Sequence, residues 1–246
     1  MIKKLFIALL CLCLLAALAA CKEETVPPAD DSTTPTPEAS TPEEESTLRY
    51  SYPLTSKEGT AITVEVHAGR VLYVKGTGSM PDDILEDYDQ PWYEHGGKSA
   101  TDRSDAEAGT ITVTTVIVEE GITAISDNAF RNFHKLETVS LPSTLRSVGF
   151  RAFADCPNLR TVTGGSGITT IGASAFRDCT QLSTVHLSAT VEVIEESAFS
   201  GIILPGVART LAVTFKGSEA EWQLLLSERT QSDNAALANA TLTYAP

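Results

Sequence analysis

The chain has 246 residues and a formal net charge of -14, from 18 basic and 32 acidic side chains. Neutralising phosphates requires clustered Lys and Arg, so this balance argues against a nucleic-acid partner. The length is enough for a sizeable core or for a short repeat array.

The chain opens with "MIKKLFIALLCLCLLAALAAC". Lys3 and Lys4 precede an apolar run of 16 residues, Leu5 to Ala20. A membrane-spanning helix needs about 20, so the pattern reads as a targeting segment over residues 1–20. Its end, Leu18-Ala19-Ala20-Cys21, resembles a bacterial lipoprotein signal. That resemblance implies cleavage before Cys21 and a diacylglycerol on its sulfur. Lys22-Glu23-Glu24 resembles the acidic export tags that follow the lipid Cys in some outer-membrane bacteria, one residue out of register.

Residues 21–49 carry clustered carboxylates, among them Glu43, Glu44 and Glu45, with Pro27, Pro28, Pro35, Pro37 and Pro42 between Ser and Thr. So few large apolar side chains cannot offset the entropy of ordering. The segment is expected to be a disordered tether spanning roughly 30 Å. Further on, "GTGSMP" lacks the third glycine of a dinucleotide loop and the Lys of a P-loop, and reads as a turn. The acidic cluster Asp82, Asp83, Glu86, Asp87, Asp89 places Leu85 and Tyr88 where a calcium loop needs a ligand and a glycine.

From here a fixed period governs the chain. Phe130, Phe153, Phe176 and Phe199 are each 23 residues apart. Leu136, Leu159 and Leu182 form a second column, and Val139, Val162 and Val185 a third. Leu141 and Leu187 form another, interrupted by Gly164, and Ile125, Val148, Ile171 and Ile194 a fifth. The piece L-x-x-V-x-L ends in strand period, with Val139 and Leu141 inward and Thr138 and Ser140 outward. "ITTI" is a second short strand with Ile168 and Ile171 inward. The short, polar segment around Ala-Phe predicts a tight helical turn. One such unit cannot bury its own apolar side; stacked units can, which gives a solenoid with a continuous core.

"GITAISDNAFRNFHKLETVSLP" resembles the BspA-type leucine-rich repeat of bacterial surface proteins, over Val116 to Phe199. The flanks, "VKGTGSMPD" with "PWY" before and "VTFKGSEAEWQ" with "NAALANATLTY" after, resemble the units that often bracket such repeats. The resemblance implies an α/β solenoid, mostly β, of about four 23-residue repeats. The repeats occupy residues 111–210, between a β-rich N-terminal unit (50–110) and a C-terminal capping unit (211–246). It also makes Trp92, Tyr93 and Trp222 packed caps over the ends. Two departures stand out. Gly164-Gly165-Ser166-Gly167 replaces the Leu-Pro exit, and "GIILPGVART" inserts about five residues, which leaves the register of the last coil open.

Cys156 and Cys179 share the phase of Phe133. Equivalent positions on neighbouring coils lie about 4.8 Å apart and point the same way. A disulfide needs facing Cβ atoms about 3.8 Å apart, so buried free thiols are expected. No H-E-x-x-H, Cys-x-x-Cys or nucleophile elbow is present, so no catalytic, metal or cofactor site is expected. The outward columns are the candidate ligand-binding surface: Thr138, Ser140, Arg160, Thr161, Thr163, Thr184 and His186. Thr also simply suits a sheet surface. Five strands at this spacing span roughly 20 Å.

The expectation is a lipid-anchored cell-envelope protein that binds a host, matrix or bacterial surface protein, or a glycan, rather than an enzyme. The alternatives are a carbohydrate-binding accessory lipoprotein of a polysaccharide-uptake system and a cell-wall enzyme, the latter disfavoured by the absent motifs. Cys21→Ala tests the anchor: the variant should leave the detergent phase for the aqueous phase in Triton X-114 partitioning, and partitioning like wild type would refute lipidation at this residue.

Overall fold

Alternating apolar residues in "ITVEVH" and "VLYVKG" give two strands that bury one face each. The computed structural model describes residues 47–81, 92, 112–203, 206, 208–230 and 232–245. Cys21, the tether as far as residue 46, Tyr93 and the Asp82–Asp89 cluster lie outside the described residues, and the tether's last two residues, Leu48 and Arg49, belong to a strand. β1 (Leu48–Thr55), β2 (Ala61–His67) and β3 (Val71–Gly76) form an antiparallel meander. Ile62, Val64, Val66, Leu72 and Val74 are its buried face. β4 (Gly78–Ser79) follows.

Each repeat then supplies two strands, the second of them short in all but the first repeat: β5 (Thr115–Val118) with β6 (Ile122–Ile125), and β7 (Thr138–Leu141) with β8 (Ser147–Val148). β9 (Thr161–Gly164) with β10 (Thr170–Ile171), and β11 (Thr184–Ser188) with β12 (Val193–Ile194), complete the set. β13 (Ala212–Lys216), α1 (Glu219–Leu224), α2 (Ala235–Ala238) and β14 (Thr241–Ala245) close the chain. Among the described residues the first strand of each pair, with the flanking strands, stands in one nine-stranded sheet, β1-β2-β3-β5-β7-β9-β11-β13-β14, parallel from β3 onward. The short strands form a five-stranded sheet, β12-β10-β8-β6-β4. The fold is a mostly β solenoid flanked by β-rich units, with its core between the two sheets.

Register follows the period. Thr138 faces Thr161 and Thr161 faces Thr184. At the last coil Thr184 faces Ala212, an offset of 28 residues instead of 23, so the insertion adds five and the ladder resumes unchanged. Gly164 sits where Leu141 and Leu187 fill the core. Its φ is +80, and a Cβ there would lie 2.0 Å from the Leu141 carbonyl oxygen, so only glycine fits. The chain turns out of the coil without changing repeat length.

The Ala-Phe segment is not the helical turn that its length suggests. A helical turn keeps its N–H groups local, whereas here alternate ones reach the next coil. The amides of Asn128, Phe130 and Asn132 donate to the carbonyls of Phe150, Ala152 and Ala154 at 2.8, 2.8 and 2.9 Å. Those of Arg131 and Phe133 donate three residues back, to Asn128 and Phe130. Positive φ at Asn128 and Asn132, and at Arg151, Asp155, Ser174 and Asp178 in the next coils, sustains the alternation.

The buried Phe rings stack along the solenoid. Centroids of Phe130, Phe153, Phe176 and Phe199 are 5.2, 5.4 and 5.3 Å apart, with planes within 19° of parallel. Cys156 and Cys179 are free and buried, and each thiol donates to a carbonyl of the preceding coil, Phe130 at 3.2 Å and Phe153 at 3.1 Å. Burial first, and then the adjacent Cys179 thiol, pushes Cys156 well above the ordinary thiol range, which keeps it protonated and unreactive.

The ends of the stack are covered. Trp92 is fully buried, lies 6.4 Å from Phe130, and its Nε1 donates to the Ala129 carbonyl at 2.9 Å. At the other end Trp222, on α1, meets Phe215 edge-on at 5.2 Å. Buried Asn234 stands in for a missing coil. Its side-chain oxygen accepts the Phe199 amide at 2.8 Å, and its nitrogen donates to the Glu195 carbonyl at 2.9 Å.

Phe176 has a ring neighbour on each side, so Phe176→Ala should cost about 3–5 kcal/mol. For a chain of this size that lowers the melting temperature by roughly 10 °C. Thermal unfolding followed by circular dichroism would measure it, and a shift of only a degree or two would contradict the stacked core.

Candidate functional site

Period two puts the even members of each repeat strand in the core and the odd members outside. Thr138 and Ser140 on β7, Arg160 just before β9, and Thr163 on β9 are exposed; Thr161 on β9 and Thr184 and His186 on β11 are half-buried. The ladder brings Thr115, Thr138, Thr161 and Thr184 side by side, and Ser140 beside Thr163. It does not pair Thr163 with His186. The β9–β11 pairing ends after Val162–Val185, next to the turn at Gly164, and His186 is paired with Thr214 on its other side.

Some of these hydroxyls are engaged. Thr138 Oγ1 donates to Thr115 Oγ1 at 3.1 Å, and Thr163 Oγ1 to the Val139 carbonyl at 3.3 Å. Arg160 is held only through its backbone: its amide donates to the Glu137 carbonyl at 2.9 Å and its own carbonyl accepts from Ser183 at 2.9 Å. Its guanidinium has no hydrogen-bond or ion-pair partner among the described residues.

The face is wider than the repeats alone predict. β3 continues it with Val71, Tyr73 and Lys75, and β2 with Glu65 and His67; beyond the repeats β13 adds Thr214, and β14 adds Thr241 and Thr243. Nine strands at about 4.8 Å extend roughly 38 Å. The signal for the N-terminal extension is in the sequence, as the polar positions alternating with Ile62, Val64 and Val66. The pairing of β3 with β5 is not, because some forty residues separate them.

On this extension a compact charged and aromatic cluster forms. Lys75 Nζ lies 2.8 Å from Glu65 and 3.9 Å from Glu119, and His67 Nε2 lies 3.1 Å from Glu65. The His67 ring meets Tyr73 edge-on at 4.9 Å, and Lys75 sits 5.1 Å over the same ring. Hydrogen bonding from Lys75 first, and from His67 second, holds the Glu65 carboxyl below its usual range; the bond to Glu65 raises Lys75 in turn.

Residues 104–215 match the family model of the BspA type leucine rich repeat region, in six copies. No curated protein is significantly similar to the chain. Among solved structures it is similar to a leucine-rich repeat protein from Eubacterium ventriosum, with 24% identity, a TM-score of 0.44, and 63% of this chain and 42% of that one covered. It is similar to a leucine rich repeat protein of T. pallidum, with 16% identity, a TM-score of 0.40, and 66% and 67% covered. A leucine rich cell surface protein from Faecalibacterium prausnitzii shares 19% identity, with a TM-score of 0.37 and 78% and 54% covered. The chain thus spans under half the length of the Eubacterium protein.

Glu65 and Lys75 generate a pH-dependent test. A carboxylate lowered in the folded state stabilises above its ordinary value of 4.5 and loses that contribution as pH falls through its folded value. An amine raised in the folded state stabilises below 10.5 and loses it above. Lys75→Met should therefore lower the melting temperature at pH 7 by about 1–2 °C, the scale of a partly exposed pair. The gap to wild type should shrink at pH 3, and a gap independent of pH would mean that Lys75 acts by packing alone.

Proposed function

Taking residues 104–215 as a BspA type leucine-rich repeat region, we propose that the chain is a lipid-anchored surface protein whose outward sheet face binds a protein partner. In this reading Cys21 carries the lipid and residues 21–49 lift the folded part away from the membrane. The unit at 50–110, the repeats at 111–210 and the unit at 211–246 then present one continuous face. A host, matrix or bacterial surface protein is the partner.

The observation that carries the reading is Arg160, a solvent-exposed guanidinium without a partner among the described residues, set among Thr and Ser columns that take no part in the core. A planar guanidinium pairs with carboxylates through two parallel hydrogen bonds, and Arg is enriched at binding hot spots. Thr138, Ser140, Thr161, Thr163, Thr184 and His186 on β7, β9 and β11 offer adaptable hydrogen-bonding contacts. A protein partner is favoured over a glycan by the state of Tyr73, the aromatic ring of this face, which is already engaged by His67 and Lys75.

A host-protein binding screen run beside a glycan array separates the two ligand classes. Against the protein found, Arg160→Ala with Thr161→Ala should weaken binding by about 1–2 kcal/mol, a factor of roughly 5–30, with melting unchanged. Unchanged affinity together with unchanged melting would take the site off this face.

A further inference from the structure

The nine-stranded sheet ends differently at its two edges. At one edge β1 carries Pro53, which has no N–H to offer a further strand, and its pairing with β2 shifts register between Leu48 and Tyr50. A proline and a bulge are devices by which edge strands discourage pairing with other chains. At the other edge β14, Thr-Leu-Thr-Tyr-Ala, has neither device and no charged side chain, in a chain of net charge -14.

The bonding of β14 decides which groups it leaves open. The Thr241 amide donates to the Leu211 carbonyl at 2.8 Å, so Thr241, Thr243 and Ala245 face β13 with their backbone. By alternation, the N–H and C=O groups of Leu242 and Tyr244 point out from the edge. Among the described residues no other strand or hydrogen bond reaches them. The side chains of these two residues lie on the core side of the sheet. Even so, Leu242 is only half-buried, and Tyr244, which meets Phe215 edge-on at 6.4 Å, is 42% exposed.

We infer that β14 pairs antiparallel with β14 of a second copy of this chain, about a two-fold axis through Thr243. The strand is complementary to itself in this register. Leu242 of each copy stands opposite Tyr244 of the other, and the outward N–H groups of both strands meet the outward C=O groups. A register centred on Leu242 or Tyr244 pairs only one of the two residues within the strand. The Leu–Tyr contacts bury apolar surface on the core side, and Thr243 meets its own copy, a pair that can hydrogen-bond across strands. Because β14 is uncharged, two acidic chains meet at this seam without like charges in contact. The axis stands perpendicular to the sheet, so two nine-stranded sheets become one with both outward faces on the same side. Five residues a side is far below the roughly 20–30 of a standard interface, so the expected Kd is on the order of 10–100 µM. The pairing does not depend on what the outward face binds.

The test is sedimentation equilibrium of the full chain in density-matched detergent, from about 1 to 500 µM, with disulfide trapping beside it. Wild type should pass from monomer to dimer across that range. Thr243→Lys sets like charges opposite each other across the axis, from a position exposed in the single chain. It should weaken dimerisation about tenfold or more with an unchanged melting temperature. Thr243→Cys should give a covalent dimer on oxidation. Directly opposed residues that share no hydrogen bonds have Cα atoms about 4.5 Å apart, within disulfide reach. Thr241→Cys, whose two copies are four residues out of step in this register, should trap no more dimer than wild type. This pair of cysteine variants decides the matter even if Thr243→Lys does not fold. Monomer throughout the range would overturn the proposal and leave the edge to a strand of a different protein. Assemblies larger than two, which would mean that β14 meets β1 of the next copy, would overturn it as well. So would equal trapping of the two cysteine variants, or undiminished dimerisation of Thr243→Lys.

Discussion

A parallel backbone ladder sets the coils about 4.8 Å apart, and that spacing decides where the other side chains can go. Both the longer strands and the Ala-Phe corners donate amides from one coil to the carbonyls of the next. Once that spacing is fixed, the core has little choice. Phe rings at one phase must stack at nearly the same repeat, and they do so at 5.2 to 5.4 Å with small tilts. Thiols at one phase sit beside one another and point the same way, so Cys156 and Cys179 bond to carbonyls instead of to each other. At Gly164 the neighbouring Leu141 carbonyl comes so close that a side chain is excluded.

A ladder of this kind leaves unpaired donors and an open core at both ends, and the flanking units answer both needs. At the N-terminal end the antiparallel meander lends β3 as a ready-made neighbour for β5, while Trp92 seals the Phe stack and bonds to Ala129. At the C-terminal end the donor that would have reached the next coil is the Phe199 amide, and the Asn234 side chain accepts it. An Asn amide carries an acceptor and a donor on one short arm, which lets a single residue copy the bonding of a missing coil. Trp222 covers the apolar part of the same end. Stability in a stacked array is shared between neighbouring units, so these caps protect every coil behind them.

Much of this was legible in the sequence because the period repeats its own evidence. Four Phe residues at one spacing identify a core column more firmly than any single hydrophobic residue could, and the Leu, Val and Ile columns agree with it. The free state of the two cysteines followed from the same spacing. What was not legible depends on partners far away in the chain. The sequence suggested a helical turn at Ala-Phe because a short segment viewed alone has only local hydrogen bonds to offer; the neighbouring coil supplies the alternative. The candidate face was read as five strands because only the repeat strands carry the period, whereas β2, β3 and β14 join it through pairings that no local pattern announces. Asn234 carried no signal either. It acts through one side chain whose partners, the Phe199 amide and the Glu195 carbonyl, lie 35 and 39 residues back in the chain.

The contrast between strands and corners bears on how such a chain acquires specificity. A residue added within a strand would shift the register and turn core side chains outward. The same residue added at a corner leaves the ladder alone, as the offset of 28 between Thr184 and Ala212 demonstrates. The strand face can therefore change only by substitution, column by column, and remains flat and repetitive. Corners can change by insertion and leave the ladder in register, as the five added residues before β13 do. A broad periodic face suits a large protein surface, where many modest contacts add to one anchoring group. The strand face and the corners are built on the same coil-to-coil hydrogen bonds, so side chains on either can change while the ladder keeps its spacing.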